Sequence, residues 1–303
     1  WKVLRVLKAV TIRFYEFPVE VLKLILLRYL ALTCNAEIPA SMSKLWNLKF
    51  LIVHQHTGIK RVGVESYVPV EVWDLQKLEH LEIMGRNLPD PPHPDAVLPN
   101  LKKLLDIGVE SCTKAVLESL PRLEKLRIQI EFAPNGTETM SCFDHISCLD
   151  SLKSFHSLII NPTLLRPPLP LAILPSHLAK LTLSGFGYAW EHMRKILELP
   201  CLEELKLQHY AFRGEKWDAT KVIQYPCLCS LTIEDTDLVE WTAKDGSFIN
   251  LKYLTFKNCY KLREIPFLPY VQDIKLVDCN PLAETCAKLK YPGEWVDANY
   301  SWK

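Results

Sequence analysis

The feature that most constrains this 303-residue chain is a recurring Leu-x-x-Leu-x-Leu frame. Twelve copies start at Leu4, Leu27, Leu48, Leu78, Leu101, Leu123, Phe155, Leu178, Leu202, Leu228, Leu251 and Val271. The fourth position is leucine in every copy but the last, and Asp106 is the one polar frame residue. A short repeat with one strand-like apolar segment cannot bury its apolar face alone. The chain is therefore predicted to stack its repeats around a shared core.

Prolines punctuate the segments between the predicted strands. Pro18, Pro39 and Pro69 each follow an apolar residue shortly before a frame begins. Because proline fixes an extended or turn conformation and lacks a backbone donor, these segments predict turns and short helical turns. Cys112 to Leu120 and Ala189 to Leu197 predict two longer helices.

The ninth position of such a repeat is typically Asn or Cys, whose side chain hydrogen-bonds the turn that leaves the strand; here it is Asn35, Cys259 and Cys279. The other repeats lack this residue, and their spacing is uneven. The predicted fold is therefore an irregular α/β solenoid, a leucine-rich-repeat horseshoe of about twelve repeats. We expect a parallel β-sheet on its concave face and loops and short helices on its convex face.

Charge and composition limit the classes of partner that we expect for this chain. The formal net charge is +1, so we expect neither nucleic acid nor an anionic membrane as partner. No apolar run reaches the roughly 18 residues that a membrane span needs. The ten cysteines show no disulfide or zinc spacing, which favours reduced thiols and a cytoplasmic location.

Local spacing predicts no catalytic, metal or cofactor site. The run His54-Gln55-His56 offers two metal ligands at most. Gly58 and Gly63 have the spacing of a phosphate-binding loop, but the lysine that should follow is missing. Since no paired carboxylates or Ser-His-Asp order stands out either, we expect a chain that is not an enzyme.

Several segments carry a family resemblance. They are Trp1-Lys2-Val3-Leu4-Arg5-Val6-Leu7, Val68-Pro69-Val70-Glu71-Val72-Trp73, Ala211-Phe212-Arg213-Gly214 with Trp217, Asp237-Leu238-Val239-Glu240-Trp241, and Cys259-Tyr260-Lys261-Leu262-Arg263-Glu264-Ile265-Pro266. In this order they resemble the leucine-rich-repeat domain of plant coiled-coil nucleotide-binding immune receptors, particularly the late-blight-resistance-like and helper groups of the nightshade family. The resemblance covers nearly the whole chain, and the tail from Asn280 is less typical.

The resemblance implies a role in plant disease resistance. Such domains take part in detecting pathogen effectors and hold a nucleotide-binding module inactive. The implied partners are the protein's own nucleotide-binding module and a pathogen effector or a guarded host protein. ADP or ATP would bind in that upstream module, which we expect to be missing here because the chain enters a strand pattern at Trp1. We expect residues 1–303 to form a single repeat domain, with 281–303 as a C-terminal tail.

Candidate binding residues stand at the third, fifth and seventh frame positions, because strand side chains alternate and these three face away from the core. They form an apolar and aromatic group, a basic group and a mixed C-terminal group. In chain order they are Tyr29, Phe50, Ile52, His80, Lys103, Lys125, Arg127, Lys180, Tyr253, Thr255 and Lys257. Aromatic anchors and adjacent cations favour partner binding; cross-strand packing and plain solvation are the alternatives. Trp217 and Trp241 are expected to pack.

A second interpretation of the same repeats is the substrate-recognition domain of an F-box ubiquitin ligase. A phosphate-binding loop upstream would indicate the receptor, whereas an F-box helix cluster would indicate the ligase.

Overall fold

The structure is a computed structural model that describes residues 3–55, 66–131, 145–162, 174–220, 225, 227–291 and 295–299. The chain divides into two compact units. Unit 1 comprises Trp1–Ser154 with Ala172–Pro175, and unit 2 comprises Phe155–Leu171 with Ser176–Lys303.

Unit 1 is built on parallel strands. They are β1 (Val6–Phe14), β2 (Tyr29–Cys34), β3 (Phe50–His54), β4 (His80–Arg86), β5 (Lys103–Gly108) and β6 (Lys125–Ile130), each paired with the next. The pairing keeps the frame in register, since Leu30 lies opposite Leu51 and Leu51 opposite Leu81. These three leucines are at most 1% exposed. The frame leucines therefore form one continuous core along the unit, as predicted.

Short helical turns return the chain between these strands. The 3-10 turns are Val19–Lys23, Ala40–Lys44, Val70–Asp74, Val109–Ser111 and Ile146–Cys148, and the α-helix is α1 (Lys114–Glu118). The carbonyls of Pro18, Pro39 and Pro69 accept the first hydrogen bond of their turns at 2.9–3.0 Å. The Thr113 hydroxyl caps α1 by accepting from the backbone N–H of Val116. The predicted proline turns and the predicted helix between Cys112 and Leu120 are confirmed.

Strand β5 contains a bulge at Asp106. Leu104 pairs with Leu126, but Ile107 is the residue that pairs with Ile128. The φ of Asp106 is 57°, a left-handed conformation that aspartate tolerates better than most residues. Ile107 therefore fills the core position, at 0% exposure. The prediction that Asp106 interrupts the core is wrong, because the extra residue turns its carboxylate towards the other face of the sheet.

Strand β4 is also irregular and ends in a buried arginine. Gly85, with a φ of 72°, allows the register to shift so that Arg86 lies opposite Ile107. Arg86 is 1% exposed, and its Nη2 donates to the carbonyls of Cys34 at 2.6 Å and Ala36 at 3.0 Å. Burial lowers the pKa of this guanidinium. The side chain connects β4 with the turn after β2, past the intervening strand β3.

Unit 2 contains the remaining strands of the repeat. They are β7 (Ser154–Ile159, in unit 2 from Phe155 on), β8 (Lys180–Ser184), β9 (Tyr188–Ala189), β10 (Glu204–Gln208), β11 (Phe212–Arg213), β12 (Lys216–Ala219), β13 (Ser230–Glu234), β14 (Glu240–Ala243), β15 (Tyr253–Lys257), β16 (Asp273–Val277) and β17 (Trp295–Asn299). The main parallel order is β7-β8-β10-β13-β15-β16-β17. Two small parallel pairs, β9 with β11 and β12 with β14, stand beside it.

The frame of the seventh repeat is shifted from its predicted start at Phe155. The backbone N–H groups of Lys153 and Ser154 both donate to the carbonyl of Glu124, which places Ser154 at the third frame position. The frame residues are therefore Leu152, Phe155 and Ser157, all at most 1% exposed. The predicted start at Phe155 is therefore wrong by three residues, because the frame begins at Leu152.

Three indole rings stack on one another in unit 2, at the β12–β14 pair. The ring centroids of Trp190 and Trp217 are 5.1 Å apart, and those of Trp217 and Trp241 are 4.5 Å apart with the planes within 5°. Trp217 and Trp241 lie opposite each other in the β12–β14 pair and are at most 2% exposed. The prediction that these two residues pack is confirmed.

The last part of the chain continues the repeat. Helix α2 (Met193–Leu197) follows a 3-10 turn, Trp190–His192, and buries Met193, Ile196 and Leu197 as predicted. Beyond the frame of β16, the segment interpreted as less typical contains α3 (Pro281–Lys290) and β17. Asn280 caps α3 by accepting from the backbone N–H of Leu282. Strand β17 pairs in parallel with β16 over five residues.

Candidate protein-binding surface

The third, fifth and seventh frame positions of unit 1 share one face of its sheet, which we call the open face. Strand side chains alternate, so the buried frame leucines point to one side and these positions to the other. The third-position column runs Tyr29, Phe50, His80, Lys103 and Lys125, and each residue lies directly opposite the next.

An aromatic ladder occupies the first strands of the open face. The ring centroids of Tyr29 and Phe50 are 5.7 Å apart, and those of Phe50 and His80 are 5.8 Å apart. Ile52 stands beside Phe50 in the fifth-position column, and all four side chains are half-buried. Rings at these separations stabilise the sheet by packing across strands, while their outer edges stay accessible.

Next to the ladder, Glu82 is the centre of a polar network. Its carboxylate lies 3.3 Å from Nε2 of His80, 3.1 Å from Nε2 of His54 and 3.7 Å from the Arg127 guanidinium. The hydrogen bond with His80 is the largest cause of a pKa of about 2 for Glu82; the His54 hydrogen bond and the Arg127 charge also lower it, and partial burial opposes them. Glu82 therefore stays ionised at any physiological pH and neutralises charge that would otherwise face a partner.

The bulged Asp106 extends this network. Arg127 on β6 donates to one of its carboxylate oxygens, and the Gln129 amide donates to the other at 3.0 Å. Asp106 is 5% exposed beneath these two side chains. Arg127, predicted as a candidate contact residue, is therefore held between two carboxylates and has little free charge to offer a partner.

Lys103 and Lys125 are adjacent free cations of the open face, and Lys8 on β1 is another exposed cation of this face. Lys103 and Lys125 lie opposite each other on β5 and β6, both are exposed, and neither has an acidic partner within the described part of the chain. Like charges directly opposed across two strands are destabilising. An acidic group of a partner would remove this repulsion.

The predicted basic group does not form one free cluster. Lys180 belongs to unit 2, where its Nζ is 2.7 Å from the Glu204 carboxylate on the neighbouring strand. That hydrogen bond is the main reason why the pKa of Lys180 is raised and that of Glu204 is lowered. Of the four predicted cations, Arg127 and Lys180 are ion-paired, so Lys103 and Lys125 carry the uncompensated charge.

The third predicted group lies on β15 in unit 2. Tyr253 is 50% exposed between Ser230 and Asp273. Thr255 is half-buried and Lys257 is exposed at the next two outward positions. The three residues share the outward face of this strand, but among the side chains that the structure describes Tyr253 has no aromatic neighbour comparable to the ladder of unit 1.

Sequence reasoning missed the roles of His54, Glu82 and Gln129 in this surface. A signal was available for Glu82, because it stands in the fifth-position column one strand from Ile52. The contacts of Asp106 depend on the β5 bulge, for which the frame gives no warning.

Other kinds of site find little support in the described residues. They contain no group of three or more His, Cys, Asp or Glu side chains that could hold a metal ion. His56, part of the two-ligand run in the sequence, lies outside them, as do Gly58 and Gly63.

None of the helices that the structure describes is long and apolar enough to cross a membrane. The Sγ atoms of Cys259 and Cys279 bond the carbonyls of Ile233, Lys257 and Val277 at 3.2–3.5 Å. These carbonyls belong to strands, so the bonds predicted for the ninth position form at the end of the strand and not to the turn.

The fold and this surface define a class of protein: a parallel-strand solenoid that presents an outward sheet face for protein binding. A family model described as "Leucine-rich repeat region" matches residues 1–281, and the chain belongs to that leucine-rich-repeat family.

Curated relatives show in which larger proteins a similar segment occurs. A putative late blight resistance protein homolog of Solanum demissum is 31% identical over 270 residues, which cover 84% of this chain and 20% of the relative. A second late blight resistance protein homolog of the same species is 29% identical over 303 residues, covering 95% of this chain and 21% of the relative. The chain thus spans about a fifth of the length of these relatives, and the resemblance predicted from its motifs is confirmed.

Among solved structures, the crystal structure of a TDR receptor is similar to this chain. Its TM-score is 0.48 at 18% identity, covering 90% of this chain and 48% of the receptor chain.

Proposed function

We propose that this chain is the protein-binding leucine-rich-repeat domain of a cytoplasmic plant disease-resistance receptor, and that it has no enzymatic activity. In this proposal the domain contributes to recognition of a pathogen effector or guarded host protein. It also holds the receptor's own nucleotide-binding module in its resting state. Similarity to late blight resistance protein homologs supports the receptor, and the open face of unit 1 supports the binding role.

The observation that carries the binding role is the juxtaposition of two kinds of contact on one rigid sheet. The aromatic ladder from Tyr29 to His80 supplies apolar anchor surface, and Lys103 and Lys125 supply free positive charge on the adjoining strands. Between them, the Glu82 network is internally neutralised. A partner that combines an apolar side chain with an acidic group would match this surface.

Binding can operate a switch only if the partner distinguishes the two states of the receptor. The open face would contact the nucleotide-binding module in the resting state, and an effector or guarded protein would compete for the same residues. Loss of the contact would then release the module, which explains how one surface serves both recognition and inhibition.

The test is charge reversal of the two free lysines in the full-length receptor. We expect Lys103→Glu with Lys125→Glu to cause spontaneous cell death in leaves without pathogen, or to abolish the response to it, while protein accumulation stays normal. Lys114→Glu is the matched control, because Lys114 is an exposed lysine on α1, away from the open face. Arg127→Glu is a poorer choice, since it would place a third carboxylate against Asp106 and Glu82.

Wild-type behaviour of the double variant in both assays, at equal protein level, would contradict the proposed role of this face.

A further inference from the structure

One tryptophan of unit 1 is exposed. Trp46 is 53% exposed, whereas the other tryptophans with described side chains, Trp73, Trp190, Trp217 and Trp241, are at most 5% exposed. Trp46 lies in the turn between the Ala40–Lys44 helical turn and the frame leucine Leu48. An exposed indole leaves in water a large apolar surface whose burial would be favourable. Tryptophan is also among the residue types most enriched at the energetic centres of interfaces.

The preceding coil contributes apolar neighbours to Trp46, and the following coil contributes a lysine. Ile25 and Leu26, 51% and 41% exposed, occupy the equivalent turn of the preceding coil. The Asn47 amide donates to the carbonyl of Ile25 at 3.1 Å, which joins the two turns. Nζ of Lys77 donates to Oδ1 of Asn47 at 2.8 Å and stands 4.1 Å from the centre of the Trp46 ring. We call Ile25, Leu26, Trp46 and Lys77 the rim patch.

Contacts within the rim patch order its side chains before any partner binds. Lys77 holds one face of the indole by a cation–π contact, and the Asn47 bonds hold the turn beneath it. A surface that is already ordered loses little conformational entropy when a partner arrives. This pre-ordering favours a defined protein contact.

Positive charge surrounds the rim patch. Arg5, Lys23, Arg28 and Lys44 are exposed, and none has an acidic partner among the residues that the structure describes. The backbone bonds from Arg28 N–H to the Arg5 carbonyl and from Lys49 N–H to the Arg28 carbonyl, both 2.8 Å, place these second-position residues in a row. Lys49 is already paired with Glu79 at 2.6 Å. Exposed cations therefore outnumber exposed acids beside Ile25 and Trp46, where Glu20 on the Val19–Lys23 turn is the nearest acid in sequence.

We propose that the rim patch is a second binding surface, for an acidic protein segment. The segment would place an apolar side chain on Ile25 and Trp46 and carboxylates beside Arg28 and Lys77. An anionic membrane is disfavoured, because an extended bilayer would also meet the exposed Glu20 and Asp74 on the helical turns of these coils, whereas a short segment engages the cations selectively. This surface is distinct from the open face, and the inference is independent of the receptor function proposed above.

Trp46 itself reports on binding. The probes are a synthetic 12-residue peptide of alternating glutamate and leucine, the same peptide with glutamine for glutamate, and phosphatidylcholine vesicles containing phosphatidylserine. Fluorescence emission and acrylamide quenching of the 303-residue chain are measured with each probe, and Trp46→Phe isolates the contribution of this residue. We expect the acidic peptide to shift the emission to shorter wavelength and to protect Trp46 from the quencher, less so as salt rises.

Affinity is then measured with the labelled acidic peptide. Trp46→Ala is expected to weaken binding roughly thirtyfold and Arg28→Glu about tenfold, with the helical and strand content unchanged because both side chains are exposed. Lys114→Glu, on α1 and outside both the open face and the rim patch, is the control that should bind as the wild type does. Lys77→Met tests the cation–π contact without removing the indole, and should weaken binding about threefold.

Three results would overturn the proposal: no protection of Trp46 by the acidic peptide, equal binding of the glutamine peptide, or protection by the vesicles alone. The last result would assign the rim patch to a membrane surface.

Discussion

Replacing Glu82 with glutamine tests whether the polar network of the open face stabilises unit 1 through its charge. Glutamine keeps the size of the side chain but removes the negative charge that His80, His54 and Arg127 surround. In the folded protein the hydrogen bond with His80, reinforced by His54 and Arg127, lowers the pKa of Glu82 from its ordinary 4.5 to about 2. The charged form is therefore the one that the fold stabilises.

The magnitude follows from this difference in pKa. At about 1.36 kcal/mol for each tenfold change in proton affinity, lowering the pKa to about 2 corresponds to at most roughly 3.4 kcal/mol. The side chain is 16% exposed on an open sheet face, so solvent screening reduces the contribution, and we expect about 1–2 kcal/mol. Because the folded pKa lies below the unfolded one, the stabilisation is complete above pH 4.5 and disappears as the pH falls through about 2.

Urea unfolding of the wild-type protein and Glu82→Gln at about pH 6 and about pH 3 measures this effect. We expect the variant to be less stable by about 1–2 kcal/mol at the higher pH, and the difference to fall to less than half at the lower one. Glu79→Gln is the control, since it breaks an exposed ion pair with Lys49 that contributes under about 1 kcal/mol. A difference for Glu82→Gln that is the same at both pH values refutes the reasoning.

Further predictions concern packing and the bulge. Trp217→Ala removes the middle ring of the indole stack and should cost about 3–5 kcal/mol in urea unfolding; a cost below about 1 kcal/mol would contradict the stack. Ser157→Ala should be neutral or stabilise by up to about 1 kcal/mol, because this buried hydroxyl has no hydrogen-bond partner among the described residues; a clear loss of stability would show a hidden bond. Asp106→Ala should destabilise by about 1–3 kcal/mol, since it removes the nearer of the two carboxylates beside Arg127 and puts alanine at positive φ, whereas Asp106→Asn should retain more than half of that stability.

The regular parts of the fold were predictable because their signal is local. A leucine at the fourth frame position needs burial whatever its neighbours are, so the core columns and the proline turns followed from spacing alone. The aromatic ladder was predictable for the same reason, since strand pairing in register brings equal frame positions together. Tyr29 and Phe50 are neighbours because they hold the same position in successive repeats.

Register shifts were not predictable from the frame. The bulges at Gly85 and Asp106 change which residue faces the core, and each depends on a single backbone conformation with positive φ. In the seventh repeat, Leu158 and Ile160 match the frame three residues after its start in the structure, whereas Ser157 takes the core position. A serine is small enough to be buried there.

Charge pairing was predictable in part. Lys180 and Glu204 both stand at the third position of successive repeats, so their ion pair was visible once the columns were aligned. Lys180 does not belong to a free basic group, because Glu204 stands directly opposite it on the neighbouring strand. The pairing of Arg127 with Asp106 depends on the β5 bulge, so it could not be predicted from the frame alone.

The buried Arg86 has a consequence for how such a domain diversifies. Its guanidinium joins the end of β4 directly to the carbonyls of Cys34 and Ala36, across the coil that contains β3. The second and fourth coils are therefore joined by this side chain as well as through the pairing of β3 with both of its neighbours. Because a shorter side chain at this position would leave the carbonyls of Cys34 and Ala36 without their donor, we expect related genes to vary Arg86 less than the half-buried residues of the same strand.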